Sequence, residues 1–192
     1  MSSSWADSLR RWDRATFIRL NTGAHNRLVC FWMPAITVLG EGHVLALLLA
    51  LGYVVARRAG GARARRTFIL AFAALAAAVV APVVKAFVPR SRPPGVFMGE
   101  TTLLVHPLFG GSFPSGHATA AFSVAVLLAL RHPWCAPWTL GLAAAIAYSR
   151  VAVGVHFPLD VIAGSALGCL AGWLVHRRGL QWEARREAGR GV

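Results

Sequence analysis

Lysine is all but missing from this chain. Lysine and arginine together number 20, yet Lys85 is the single lysine and every other member is arginine. A lysine kept at one position in so arginine-rich a chain reads as a chemical choice rather than a compositional habit. Acidic residues are scarce too, at seven, and Asp160 stands alone between Glu100 and Glu183. An ionisable group stranded in apolar sequence is costly, so it marks a functional site by default. The three cysteines, Cys30, Cys135 and Cys169, lie far apart with no CxxC or metal-type spacing. That pattern argues against redox and metal roles for them and leaves them as small apolar residues. The N-terminus has no signal-peptide pattern, because its first apolar run comes late, behind an amphipathic stretch. Tandem repeats and long low-complexity segments are absent as well.

What remains is apolar. The hydrophobic fraction is 56% and the mean hydropathy +0.56, above what a soluble fold usually carries, and 192 residues make one domain. A net charge of +13 would suggest nucleic acid in a soluble protein. Here the arginines fall between apolar runs, as they do when charge sets membrane orientation. The expected partner is therefore a membrane and not a nucleic acid.

Breaks in the apolar pattern predict five spans, at residues 36–56, 67–88, 115–130, 137–153 and 158–175. Several are shorter than the roughly 20 residues that cross about 30 Å of hydrocarbon, which suits helices that stop early to line a polar pocket. Five crossings put Arg57, Arg58, Arg63, Arg65 and Arg66, then Arg131, then Arg177, Arg178, Arg185 and Arg186 on one face, and positive charge assigns that face to the cytoplasm. The basic N-terminus, with Arg10, Arg11, Arg14 and Arg19, would then lie outside. It is read as an interfacial amphipathic helix over residues 6–20, with a short sixth crossing over residues 28–40 as the alternative. The resulting division is an interfacial segment 1–27, a membrane domain 28–176 and a basic cytoplasmic tail 177–192. The Ala-rich run 71–81 favours close helix packing, and the seven tryptophans read as interface anchors.

Three polar words interrupt this background. The first joins Lys85 to Arg92 across Pro89 and ahead of Pro93 and Pro94, where proline stiffens the turn and holds two cations in a fixed relation. Its ordinary reading is a pair of interfacial side chains reaching for water. The second, Pro114-Ser115-Gly116-His117, opens a helical run, and amide N–H groups at a helix N-terminus attract an anion. Its ordinary reading is a serine cap beside a buried histidine. In the third, Arg150 offers a planar fork to phosphate oxygens. His156 and Asp160 stand four apart at a helix entrance after Pro158. A carboxylate there can take the Nδ1 proton of the imidazole and leave Nε2 nucleophilic, or merely fasten loop to helix. Five crossings bring all three words to the outer side.

This constellation resembles the type 2 phosphatidic acid phosphatase family, whose signature reads KxxxxxxRP, PSGH and SRxxxxxHxxxD. Lys85 to Pro93, Pro114 to His117 and Ser149 to Asp160 match it without departure, and the likeness covers about residues 67–175. It implies an all-α, integral-membrane helical bundle of five to six transmembrane helices with a core similar to vanadium-dependent haloperoxidases. It also implies that Lys85, Arg92, Ser115, Gly116 and Arg150 bind phosphate, that His156 attacks phosphorus with Asp160 orienting it, and that His117 protonates the leaving oxygen. The expected substrate is a lipid phosphate or diphosphate: undecaprenyl diphosphate first, then phosphatidylglycerophosphate and phosphatidic acid. No cofactor and no metal are expected, since three cations can carry the charge stabilisation that metals often supply. A phosphotransferase using the same phosphoenzyme is the alternative, ahead of a vanadate haloperoxidase and of a transporter or scaffold. Lower stakes attach to Glu41 and His43, and to the outer connection 94–113. That connection holds Glu100, His106, Phe97, Leu103, Leu104, Leu108 and Phe109 and is read as a loop resting on the interface rather than as a lid.

Overall fold

A computed structural model describes residues 4–23, 26–97, 99–106, 108 and 110–189. Phe109 and the ends of the segments 1–27 and 177–192 lie outside the described residues. Those described form helices and no strand: α1 (Trp5–Ile18), α2 (Arg27–Val38), α3 (Gly42–Arg58), α4 (Ala62–Ala77), α5 (Val80–Phe87), α6 (Pro93–Phe97), α7 (Gly116–Arg131), α8 (Ala136–Ala152) and α9 (Pro158–Ala188).

Local chemistry accounts for most helix starts. The Ser4 hydroxyl accepts from Asp7 N–H at 3.4 Å, the Asn26 carbonyl oxygen of the side chain accepts from Val29 N–H at 2.9 Å, and Ser115 caps α7 through Ala118 N–H. Pro158 opens α9, and the Asp160 carboxylate reaches back to Phe157 N–H at 2.9 Å. This is the reciprocal half of a capping box made by an aspartate.

The apolar lengths are uneven. Helices α4 and α5 run on as one 26-residue apolar stretch, and α9 is 31 residues long; α2 and α3 form a pair bent by 66° that reaches spanning length only together. Among the described residues, two helices, or three with the bent pair, are long and apolar enough to cross a bilayer. At 1.5 Å per residue, the 16 residues of α7 and 17 of α8 extend roughly 25 Å, short of the hydrocarbon thickness. Leu47, Leu51, Val55, Ile69, Val79 and Leu170 face outward, where an aqueous surface would not tolerate a continuous apolar belt. The stretch 28–40, weighed as a separate crossing, is the first arm of the bent pair. The basic stretch from Arg177 to Ala188 continues α9, and the Arg131 guanidinium grips Glu183 there in a two-pronged ion pair, at 2.7 and 2.9 Å.

Helix α7 is the axis of the bundle, with α4, α8 and α9 around it. Ala71 and Ala74 of α4 are fully buried with Leu127 of α7, so the Ala-rich run does pack closely. The contact of α7 with α9 is closer still. A Cβ on Gly164 would stand 2.5 Å from the Ser115 carbonyl, and one on Gly168 or Gly172 would collide with the Thr119 or Ser123 carbonyl. Gly164, Gly168 and Gly172 therefore face Ser115, Thr119 and Ser123 at a shared spacing of four, and backbone meets backbone. The two helices run parallel, joined at one end by Ser115 N–H donating to the Asp160 carbonyl at 2.9 Å and at the other by Arg131 and Glu183. That register places the second polar word against the third.

Candidate active site

The N-terminal ends of α7 and α9 meet close to the last turns of α5 and α8, which carry Lys85 and Arg150, and to the connection after α5, which carries Arg92. Gly154, at φ +85°, supplies the left-handed turn that lets the chain reverse after α8. Val155 and His156 then return their N–H groups to the Arg150 carbonyl at 3.2 Å each. Arg150 and His156 are thereby locked side by side, and both are almost fully buried.

His156 is held at both ring nitrogens. Nδ1 lies 3.4 Å from Asp160 Oδ2 and 3.4 Å from Ser112 Oγ, while Ser112 Oγ donates to the same carboxylate oxygen at 2.5 Å. Nε2 lies 3.4 Å from Arg92 Nη1. A guanidinium has donors only, so Nε2 presents its lone pair and the proton sits on Nδ1, toward Asp160. Burial, with the Arg150 and Arg92 charges added, pushes the imidazole down to about 4 against the opposing pull of Asp160. The ring is therefore neutral through the physiological range. Burial also holds the Arg92 guanidinium below its ordinary value, with Asp160 opposing.

Two further cations, Arg150 and Lys85, stand close enough to Arg92 for the three charges to act on one another. Arg92 is fixed by the carbonyls of Val155 at 3.0 Å and Gly110 at 3.2 Å. Arg150 donates from Nη1 to the buried Thr37 hydroxyl, whereas its buried Nε finds no partner among the described residues. An orphaned guanidinium N–H is expensive to leave dry and suits a site that receives an anion. Lys85 joins them from α5, its Cγ only 3.1 Å from where a Cβ on Gly111 would stand. His117 occupies the first turn of α7 and packs toward Gly40, at the α2–α3 bend, where an added Cβ would stand 3.1 Å from its Cδ2.

The structure thus gathers Lys85, Arg92, Ser115, Gly116, His117, Arg150, His156 and Asp160 at one end of the bundle. Ser115 is at once the ordinary cap and a member of the group. Residues 36–42, read as a span edge, reach the site through Thr37 and Gly40, while Glu41 and His43 pair with each other at 3.1 Å beside it. The outer connection is tied down rather than loose. Thr102 exchanges hydrogen bonds with the Asn21 side chain at 2.9 and 3.0 Å, and Phe97 stacks on Phe17 at 5.6 Å.

Four residues escaped the sequence reading: Thr37, Ser112, Arg90 and Asp13. Arg90 donates to Asp160 Oδ1 at 2.5 Å and also pairs with Asp13 of α1. Asp13 in turn accepts from Leu159 N–H at 2.9 Å. Arg90 lay in plain view two places before Arg92, and Asp13 stood between Arg11 and Arg14 in a basic helix.

Residues 66–183 match the PAP2 superfamily. The undecaprenyl-diphosphatase of Sulfolobus acidocaldarius is 41% identical over 109 residues, 55% of this chain and 52% of that protein; the chain thus spans about half of its length. The bacitracin transport permease protein BcrC of Bacillus licheniformis is 32% identical over 142 residues, 74% of this chain and 69% of that protein. Among solved structures, Aquifex aeolicus LpxE superposes with a TM-score of 0.68 at 26% identity, covering 86% of this chain and 95% of that one. The PAP2-type phosphatidylglycerolphosphate phosphatase of Bacillus subtilis shares the transmembrane fold, with a TM-score of 0.72 at 24% identity over 92% of this chain and 87% of that one.

Proposed function

Because the chain belongs to the PAP2 superfamily, we propose that it is an integral-membrane phosphatase that removes the terminal phosphate from a lipid phosphate or diphosphate. The observation that carries this is the orientation of His156: Nδ1 is backed by Asp160, and Nε2 presents its lone pair to Arg92, with the Arg150 and Lys85 charges grouped around that arginine. An isoprenyl diphosphate is the first substrate, in keeping with the name of the S. acidocaldarius relative, and glycerophospholipid phosphates come second.

In this reading Lys85, Arg92 and Arg150 hold the phosphate oxygens together with the Ser115 hydroxyl and the Gly116 amide at the start of α7. Phosphoryl transfer needs chiefly positioning and stabilisation of charge on the equatorial oxygens, and this set supplies both. The His156 Nε2–phosphorus bond forms as the bond to the leaving oxygen breaks, and His117 gives that oxygen its proton. Asp160 holds the Nδ1 proton throughout. Water then attacks the phosphohistidine, its proton passes to His117, the nitrogen–phosphorus bond breaks, and phosphate leaves.

The site is proposed to face outward from the plasma membrane. Arg63, Arg66, Arg131, Glu183 and Glu187 line one cleft at the far end of α7 and α9, so the basic clusters share the end opposite the site, in keeping with the cytoplasmic bias of arginine. The test is phosphate release by purified protein from a panel of lipid phosphates and diphosphates, with His156→Ala as the blank. Release by the wild type alone supports the reading; equal release by both ends it. Label recovered on an acceptor lipid instead of as free phosphate would mark a transferase.

A further inference from the structure

Asp13 is wholly buried, four residues before the equally buried Phe17 on the inward face of α1, whose opposite face is basic and exposed. Burying a carboxylate costs several kcal/mol unless it is paired and hydrogen-bonded, and this one is both. One oxygen accepts from Leu159 N–H at 2.9 Å, in the first turn of α9. The other takes one prong of the Arg90 guanidinium. The second prong of Arg90 goes to Asp160 Oδ1 at 2.5 Å, and the guanidinium carbon lies 4.5 Å over the Phe157 ring. Arg90 is thus clamped between two carboxylates and an aromatic face.

The division of labour on Asp160 is informative. Oδ1 is assigned to Arg90, while Oδ2 is left for Ser112, Phe157 N–H and His156 Nδ1. Arg90 therefore sets the rotation of the carboxylate that orients the histidine. Left alone, the Arg90 charge would also cancel that carboxylate and weaken its hold on the Nδ1 proton. Asp13 offsets the Arg90 charge. Packing alone would not require two buried acids around one arginine.

We propose that Asp13 and Arg90 are positioning residues, through which helix α1 sets both the orientation and the net charge of the Asp160–His156 pair. The inference rests on the reading of His156 as nucleophile. It makes α1 part of the working enzyme, although α1 holds none of the signature residues.

The charges acting on His156 are Asp160 of α9, Arg150 of α8 and Arg92 on the connection that also carries Arg90, with His117 of α7 beside it and Lys85 of α5 acting on Arg92, Arg150 and Asp160; Ser112 faces it from the next connection. Only the relay changes in the variants chosen here. Titration of His156 is followed by nitrogen-15 NMR of histidine-labelled, detergent-solubilised protein, with the resonance identified by its loss in His156→Ala. In Asp13→Asn, Arg90 is uncompensated, and the His156 pKa is expected to fall by about one unit. In Arg90→Gln, two carboxylates lose their shared cation, and it is expected to rise by about one unit. Arg90→Lys, which keeps the charge, stays near the wild type in pKa. Asp13→Asn is also expected to lose about a hundredfold in kcat with little change in KM, as misplacement of a reacting group does. Opposite shifts in the two variants support the relay, and unchanged or same-direction shifts overturn it. If Asp13→Asn does not fold, the upward shift of Arg90→Gln decides alone. Because the NMR titration needs no turnover, a relay that fails is distinguishable from a phosphatase reading that fails, which phosphate release by wild type and His156→Ala judges separately.

Discussion

Arg92 Nη1 stands 3.4 Å from His156 Nε2, so the arginine that would bind phosphate also dictates which histidine nitrogen carries the lone pair. Burial, with the Arg150 charge and then this one added, lowers the imidazole to about 4. Attack needs the neutral ring, so the rate should rise with pH through about 4 and not through the ordinary histidine value near 6.5. A kcat/KM profile that rises to a plateau, with its acid limb near pH 4, is expected. Arg92→Gln removes one of the lowering charges and should move that limb upward. A flat profile down to pH 3 would speak against His156 as the group that must be neutral.

His156→Ala should abolish phosphate release, a loss of about 10⁴-fold or more, because no other side chain can take over the covalent step. Lys85→Ala should retain measurable turnover with a raised KM and a lower kcat, since the lysine contributes charge and not a bond. Steady-state assays on one responsive lipid phosphate separate the two patterns. A crowding variant offers an independent check: Gly111→Val would press on the Lys85 side chain, whose Cγ is 3.1 Å from the added Cβ, and should imitate the lysine deletion in part.

Much of the site could be read before any coordinates because its residues are rare in their surroundings. A lone lysine, a lone carboxylate and a Pro-Ser-Gly-His turn stand out from apolar sequence, and phosphate chemistry constrains their types. Asp13, Arg90, Ser112 and Thr37 were not read for the opposite reason. Asp13 is set among arginines, Arg90 is one arginine of many, and hydroxyl residues are ordinary near caps. Their roles arise only from three-dimensional pairing across as many as 146 residues, as between Asp13 and Leu159. The span pattern was legible in outline. The bend between α2 and α3 was not, because Leu39, Gly40 and Glu41 carry no proline to signal a 66° turn. What holds Gly40 there is a close approach to Ile146 and His117, which is a tertiary fact.

Sustained activity in excess EDTA is expected. Two guanidiniums, one ammonium and the N-terminus of α7 already offer the positive charge that the equatorial oxygens demand. Phosphate release measured with and without chelator checks this. Complete loss on chelation, restored by magnesium, would require a different account of charge stabilisation.

The spacing of Gly164, Gly168 and Gly172 could have been found in the sequence, since small residues every four positions on an apolar helix mark close packing. Its consequence is local and severe. Gly168 faces the Thr119 carbonyl with no room for a Cβ, and Phe122 Cβ stands 2.9 Å from the same point. Neither backbone nor a side-chain root can yield by rotation, so Gly168→Val must push α9 away from α7. Overpacking of this kind costs about 1–3 kcal/mol, and here it also separates Ser115 from Asp160, whose 2.9 Å backbone bond joins the second and third polar words. Gly168→Val should therefore lower the thermal midpoint in detergent and depress kcat together, although the residue lies two turns from the chemistry. Gly141→Val is the control, because an added Cβ there meets nothing within 4 Å and should leave both quantities nearly unchanged. If Gly168→Val kept full activity and stability, the glycine stripe would not be what holds the site in register.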